Sequence, residues 1–386
     1  MGESRCDIAI VGGGLSGGLI AAALARHRPE LTVRLIEAGQ QLGGNHRWSW
    51  FSTDLDAVGT QLMQLFPHVS WEGHEVRFPG FERRLETGYR SLVSPDFDGA
   101  LRDLLPAEAL VCGRSVITLD ADGVTLGDGH RIAAGAVIDC RGLGPSAHLT
   151  GGWQVFYGRH VRTRAPHGVE RPVIMDAMVR QHGTYRFIYA LPLAPDELFI
   201  EDTYYADDPT LDEPELKARV DRYCARHGCQ GETIHEETGI LPVITGGDFE
   251  RFEAEQRIDG VARAGAGAGL VHPLTSYTLP LAVRTAIGIA SLDDVSGPAL
   301  SDYLARNARS HWHQTRFYRM LGTMLFAAAP EERYRVFAHF YRLPEPVIQR
   351  FYAAQSTGLD KARILIGKPP LPVHRALLAL AGRAAA

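Results

Sequence analysis

The sequence predicts an α/β fold in three parts, and three observations carry that expectation. A glycine-rich strand–turn–helix–strand unit opens the chain. Long segments rich in β-branched and aromatic residues, punctuated by turn residues, follow it. From Ala299 onward the apolar spacing is helical. We read a discontinuous Rossmann-like domain (1–75, 93–150 and 251–298), an antiparallel β-sheet domain (76–92 and 151–250) and a helical C-terminal lobe (299–386).

Residues 7–11 form a short apolar strand, and Gly12 to Gly17 complete a G-x-G-x-x-G. An Ala/Leu-rich helix over 19–26 and a second strand over 31–37 follow, the latter ending on Glu37. Gly12 permits the tight turn, Gly14 lets backbone approach a pyrophosphate, and Gly17 lets helix and strand pack closely. The helix N-terminus favours negative charge, and Glu37 is placed to accept hydrogen bonds from an adenosine ribose. The same stretch, 8–25, is eighteen residues without a charge, the nominal length of a membrane span. Five glycines inside it argue against one helix, and Arg26-His27-Arg28 directly after it argue against a signal peptide.

Three further glycine-bearing returns select FAD among dinucleotides. Gly43-Gly44 follows the acidic strand end, a strand over 136–140 runs into Gly142, and 262–280 carries Gly267, Gly269 and His272 before a helix. Each alone is compatible with ordinary loop chemistry; together they describe a cofactor domain assembled from distant segments. The β-domain includes a hairpin over 187–192 and 197–203. The helical lobe breaks at Pro330, Pro344 and Pro346 and reaches a loop at Gly367-Lys368-Pro369-Pro370.

Composition narrows the class. The 386 residues are 45% apolar and 22% charged, with a formal charge of −5, which argues against a nucleic-acid binder with a global positive field. Five scattered cysteines support no disulfide framework, and Cys224 and Cys229 alone are weak evidence for zinc; a reducing, cytoplasmic compartment and no metal are expected. His311 and His313 fall on different helix faces, and nucleophile-elbow, zincin and Walker motifs are absent. Residues 304–386 hold thirteen Arg/Lys against four Asp/Glu. That balance fits either a solvated helical face or contact with anionic lipid.

Several segments are not generic to nucleotide-binding folds: GGNHRWSW at 43–50, EVRFPGFERRL at 75–85, VIMDA at 173–177, LFIEDTYY at 198–205 and RAGAGAGLVHPLTSYTLPLAV at 263–283. Through them the chain resembles the bacterial lycopene β-cyclases over nearly its whole length. The resemblance implies flavin-dependent ring closure without net redox change. FAD would work in its reduced form, with NADPH as the electron donor. Lycopene and related linear carotenoids are the implied substrates, and the implied location is the lipid surface of the cytoplasmic membrane. Basic, aromatic helices over 312–328, 333–343 and 362–380 would make that contact.

Proton delivery to an alkene needs a carboxylic acid kept protonated by burial, with water excluded from the cation. Glu201 matches the family's acid. Asp202 stands where plant members carry a second glutamate, and with Asp176 it is a candidate second carboxylate; a structural salt bridge is the other reading of both. Trp48, Trp50, Trp153, Phe156, Tyr185 and Tyr277 are candidates for facing the cation, each worth about 2 kcal/mol when desolvated, or else core packing. The alternative function is an FAD-dependent monooxygenase or reductase of the same fold, although Arg263-Ala264-Gly265 stands where such hydroxylases carry Gly-Asp. A non-catalytic carotenoid- or lipid-binding flavoprotein is the third reading.

Overall fold

The computed structural model describes residues 4–144 and 146–366. Its first sheet is centred on the strand Ser4–Val11, which lies parallel to Val33–Glu37 on one side and Arg131–Asp139 on the other. Ile8, Ala9 and Ile10 are wholly buried, as a central parallel strand covered on both faces requires. Leu110–Cys112 extends the sheet beyond Val33–Glu37. Arg131–Asp139 forks: its carboxyl end pairs in parallel with Val261–Arg263, and its amino end pairs antiparallel with Gly123–Leu126, which in turn meets Val116–Asp120. Strands from distant parts of the chain thus build one sheet. The helix Leu15–His27 covers it, with Leu19 to Leu24 fully buried, and packs with Leu279–Ala290 in the same apolar core.

The second sheet runs in the order Gly231–Gly247, Leu149–Thr163, Glu197–Ala206, Tyr185–Ala194, Val173–Asp176, His74–Phe78, Phe81–Leu85. Every pairing is antiparallel except that of Val173–Asp176 with His74–Phe78. The predicted hairpin is present as Tyr185–Ala194 and Glu197–Ala206. One face is covered by the helix Glu213–His227, which Asp212 caps at its start and Gly228, at φ +68°, ends in a left-handed turn. A three-stranded sheet of Arg47–Phe51, Tyr89–Val93 and Val69–Trp71 gives Trp50 and Leu92 to the core of the first sheet and Phe51 and Tyr89 to that of the second. It is tied to the second by the Tyr189 hydroxyl, 2.8 Å from Ser49 Oγ and 2.9 Å from the Tyr89 hydroxyl.

The C-terminal part is helical: Gly297–Gln314, Arg316–Phe326, Tyr334–Phe340, Glu345–Tyr352 and Gly358–Leu365. The helix expected over 312–328 breaks at Thr315, whose hydroxyl donates to the His311 carbonyl at 2.6 Å and competes with the backbone ladder. The breaks at Pro330 and Pro344 fall where read. Gly297–Gln314 packs on the first sheet through Leu300 and Leu304, and the helices after it pack on the second through Tyr318, Leu325, Phe337, Tyr341 and Phe351. The loop at 367–370 and the part of the 362–380 helix beyond 366 lie outside the described residues. Among the described residues no helix is long and apolar enough to cross a membrane.

Candidate functional site

At the carboxyl ends of the parallel strands lies a cavity of about 490 Å³, lined by Gly12, Gly14, Glu37, Gly44 and Gly142 together with Gly265 and Ala266. Gly12 takes φ +101°, a conformation that L side chains rarely adopt. A Cβ on Gly14 would meet nothing within 4 Å, so its backbone is open to the cavity just where Leu15–His27 begins. No side chain caps that helix, and its free first-turn N–H groups suit a pyrophosphate. The Glu37 carboxylate already accepts from Gly13 N and Gly39 N, both at 2.8 Å, which fixes it at the ribose end. The open glycine cradle, uncapped helix and oriented carboxylate fit a dinucleotide. Gly14→Val would fill the cradle. Overpacking of ~1–3 kcal/mol predicts FAD affinity weaker by on the order of tenfold or more, measurable by flavin fluorescence titration.

Four of the predicted cofactor residues do not line this cavity. A Cβ on Gly17 would lie 2.0 Å from the Gly12 carbonyl oxygen, so Gly17 serves helix-on-strand packing. A Cβ on Gly267 would lie 2.3 Å from Arg141 O, where the third return crosses the second, and Gly269 closes the adjoining turn at φ +77°. His272 is fully buried away from both cavities. Its Nε2 lies 3.1 Å from Phe351 O, and its Nδ1 faces Leu274 N and Thr275 N at 3.3 Å. Burial pushes its pKa down to about 3, so it is a neutral clamp holding the 262–280 loop to the helical lobe.

A second cavity of about 300 Å³ continues from the first, and His46, Trp48 and Thr278 line both. Its walls are largely aromatic, including Phe156, Phe187, Tyr189, Phe199, Tyr205 and Tyr277, and Glu201 lines it. The Thr203 hydroxyl donates to Glu201 Oε1 at 2.5 Å. Desolvation outweighs that bond and the nearby Arg47 cation, and raises the Glu201 pKa to about 7. A carboxylic acid able to donate near neutrality is therefore held against an aromatic cavity.

Strand alternation separates Asp202 from this site. Asp202 is wholly buried on the opposite face, where Arg186 Nε and Nη2 grip its carboxylate at 2.6–3.0 Å. Its carboxylate is engaged in a bidentate ion pair, the structural salt bridge that was the other reading of Asp202. Asp176 lies on that same helix-covered face, accepting from the Tyr223 hydroxyl at 3.1 Å and from Met178 N at 2.9 Å. Of the aromatic candidates, Trp48, Phe156 and Tyr277 line the cavity, Trp50 and Tyr185 are core, and Trp153 lies outside it.

Sequence reading missed two charged neighbours of Glu201. Arg47 sits 4.9 Å above the Phe199 ring. Glu237, 3% exposed, has an Oε2 without a hydrogen-bond partner among the described residues. Arg47 lay within a quoted motif, and Glu237 follows Glu236 on a strand whose alternation would have turned just one of them inward. Among the described residues no group of three or more His, Cys, Asp or Glu side chains is arranged to hold a metal.

A split nucleotide-cradling sheet opening onto an aromatic pocket lined by the buried acid Glu201 defines an enzyme on a flavoprotein-type fold. The same fold occurs in a probable FAD-dependent monooxygenase from Pseudomonas aeruginosa, at TM-score 0.59 and 16% identity, covering 88% of this chain and 100% of that one. The chain belongs to the lycopene cyclase family, whose model, described as lycopene cyclase protein, matches residues 7–378. It is 44% identical over 373 residues to the lycopene beta-cyclase of Pseudescherichia vulneris, covering 96% of each chain. With that of Pantoea ananas it shares 41% over 381 residues, covering 98% of each.

Proposed function

We propose that this enzyme closes β-ionone rings on the linear ends of lycopene, and that Glu201 is its general acid. The observation that carries this reading is the Glu201 carboxyl, raised to about 7 and facing a cavity walled by aromatic rings. Glu201 delivers its proton to the terminal C1=C2 alkene, leaving a tertiary cation at C1. The C5=C6 bond attacks that cation, the charge passes to C5, and return of the C6 proton to the Glu201 carboxylate completes the ring and restores the acid. No electrons are gained or lost, and the proton count balances. Phe156, Tyr189, Phe199 and Tyr277 exclude water and turn π-faces to the cation, each worth up to about 2 kcal/mol. The ionised Glu201 left after donation supplies negative charge within the same cavity.

Gly12, Gly14, Glu37, Gly44 and Gly142 would hold FAD, which when bound in reduced form, with NADPH as electron source, supplies anionic charge to the polyene end. Lycopene partitions into lipid, so we place the enzyme peripherally on the cytoplasmic membrane. The exposed Leu359, Leu365 and Ile366, beside Lys361 and Arg363, are the described residues best suited to an anionic lipid surface.

The test uses purified holoenzyme with lycopene in liposomes under anaerobic conditions, comparing oxidised FAD with FAD reduced by NADPH. Ringed product, read by chromatography, is expected only with the reduced cofactor. Untouched lycopene together with oxygen-dependent NADPH consumption would move the function to a redox enzyme of the same fold.

A further inference from the structure

The central strand Leu149–Thr163 carries Gly158 directly opposite Glu201 on one neighbour and Glu237 on the other. In-register residues of adjacent strands project to the same face, so both glutamates flank the one position that has no side chain. A Cβ on Gly158 would lie 2.5 Å from the Phe199 ring and 3.1 Å from Glu237 Cγ. Phe199 and Glu237 therefore close over that gap. Glu236, one residue earlier, faces the other way, toward Lys217 and the Tyr157 hydroxyl. Unlike Asp202, Glu237 has no arginine in hydrogen-bonding contact among the described residues.

We propose that Glu237 is a positioning residue of the catalytic centre: a second carboxyl that shares the buried site with Glu201 across Gly158 and governs how long Glu201 keeps its proton. This rests on the reading of Glu201 as the acid. The groups around Glu237 support it. On its own strand His235 is engaged by Asn45, and His160 on the central strand pairs with Glu197. The charges that reach Glu237 are Glu201, which opposes its ionisation, and Arg47 from the small sheet, which favours it. Desolvation is larger than either and raises Glu237 to about 8. Two carboxyls that repel each other's ionisation lose their protons in two steps belonging to the pair. As pH rises, a second proton in the site keeps part of the Glu201 population in its donating form.

The experiment measures ring closure against pH in the reduced holoenzyme and in Glu237→Gln, with infrared spectra of the resting proteins alongside. In the native enzyme the alkaline decline should span two titrations. In Glu237→Gln it should become a single titration, with its midpoint lower by up to about one pH unit. Glu237→Asp, which keeps a carboxyl, should restore the two-step decline, and Glu237→Met, which also lacks one, should show the same single titration should the Gln variant not fold. Glu237→Gln should also remove protonated-carboxyl absorbance present at neutral pH, a readout independent of turnover. A uniform loss of rate at every pH with the midpoint unmoved, or an unchanged carboxyl band, overturns the proposal. Glu201→Gln separates the two readings. If that variant remains active, Glu201 is not the acid and both fall; if it is inactive while Glu237→Gln keeps the native profile, the role of Glu237 alone fails.

Discussion

Glu201→Gln should abolish ring closure while leaving FAD content and thermal stability close to those of the native enzyme. Glutamine keeps the shape and can still accept from Thr203, whose hydroxyl lies 2.5 Å from Glu201 Oε1, but it has no proton to give an alkene. Loss of a positioned general acid costs about 10²–10⁴ in rate, and an alkene is so weak a base that the upper end is expected. The same residue fixes a pH dependence. The donating form is the protonated one, and its pKa is raised to about 7. Activity should therefore be full on the acid side and fall as pH rises through about 7, the reverse of an enzyme that uses a carboxylate base. Steady-state rates on lycopene-loaded liposomes from pH 5 to 9 check both expectations. Native-like activity in the Gln variant would falsify the assignment of the acid.

How much of this was legible in the sequence depended on whether the signal was local. The turn at Gly12, the cradle at Gly14 and the carboxylate at Glu37 lie within one β-α-β unit, where spacing alone dictates what each residue does. Glu201 was reached only through the family resemblance, because an isolated glutamate on a strand carries no mark of the cavity it faces. Other roles were set by partners far along the chain. His272 lies in a glycine-rich loop that suggests a cofactor, yet its ring is spoken for by Phe351, 79 positions away. Glu237 faces Glu201 only because both strands register on Gly158, and no single-sequence pattern announces a register between strands that distant. Sequence also could not choose which carboxylate of the Glu201–Asp202 pair turns inward. That choice is made by the neighbouring strand, where Arg186 waits on the opposite face.

Asp202→Ala should destabilise the fold far more than it affects chemistry. The Asp202 side chain is wholly buried and that of Arg186 is 5% exposed, with Nη2 2.6 Å from Oδ2. Removing the carboxylate strands a guanidinium in a desolvated sheet–helix interface, which typically costs about 3–5 kcal/mol. The double variant Asp202→Leu/Arg186→Met should recover much of that loss, because replacing both partners with apolar groups of similar size leaves no charge unpaired. A thermodynamic cycle over the two single variants and the double, measured by denaturant unfolding of holoenzyme, reads the coupling directly. The folded fraction of Asp202→Ala should still close rings, with its pH midpoint moved toward acid, because the Asp202 charge is one of the causes that raise the Glu201 carboxyl. Loss of ring closure in the folded fraction with unchanged stability would instead place Asp202 in the chemistry. Adjacent carboxylates in Phe199-Ile200-Glu201-Asp202-Thr203 thus make opposite predictions: one variant loses rate and keeps stability, the other loses stability and keeps ring closure. The division follows from strand alternation, which sends one side chain to an aromatic cavity and the next to an arginine.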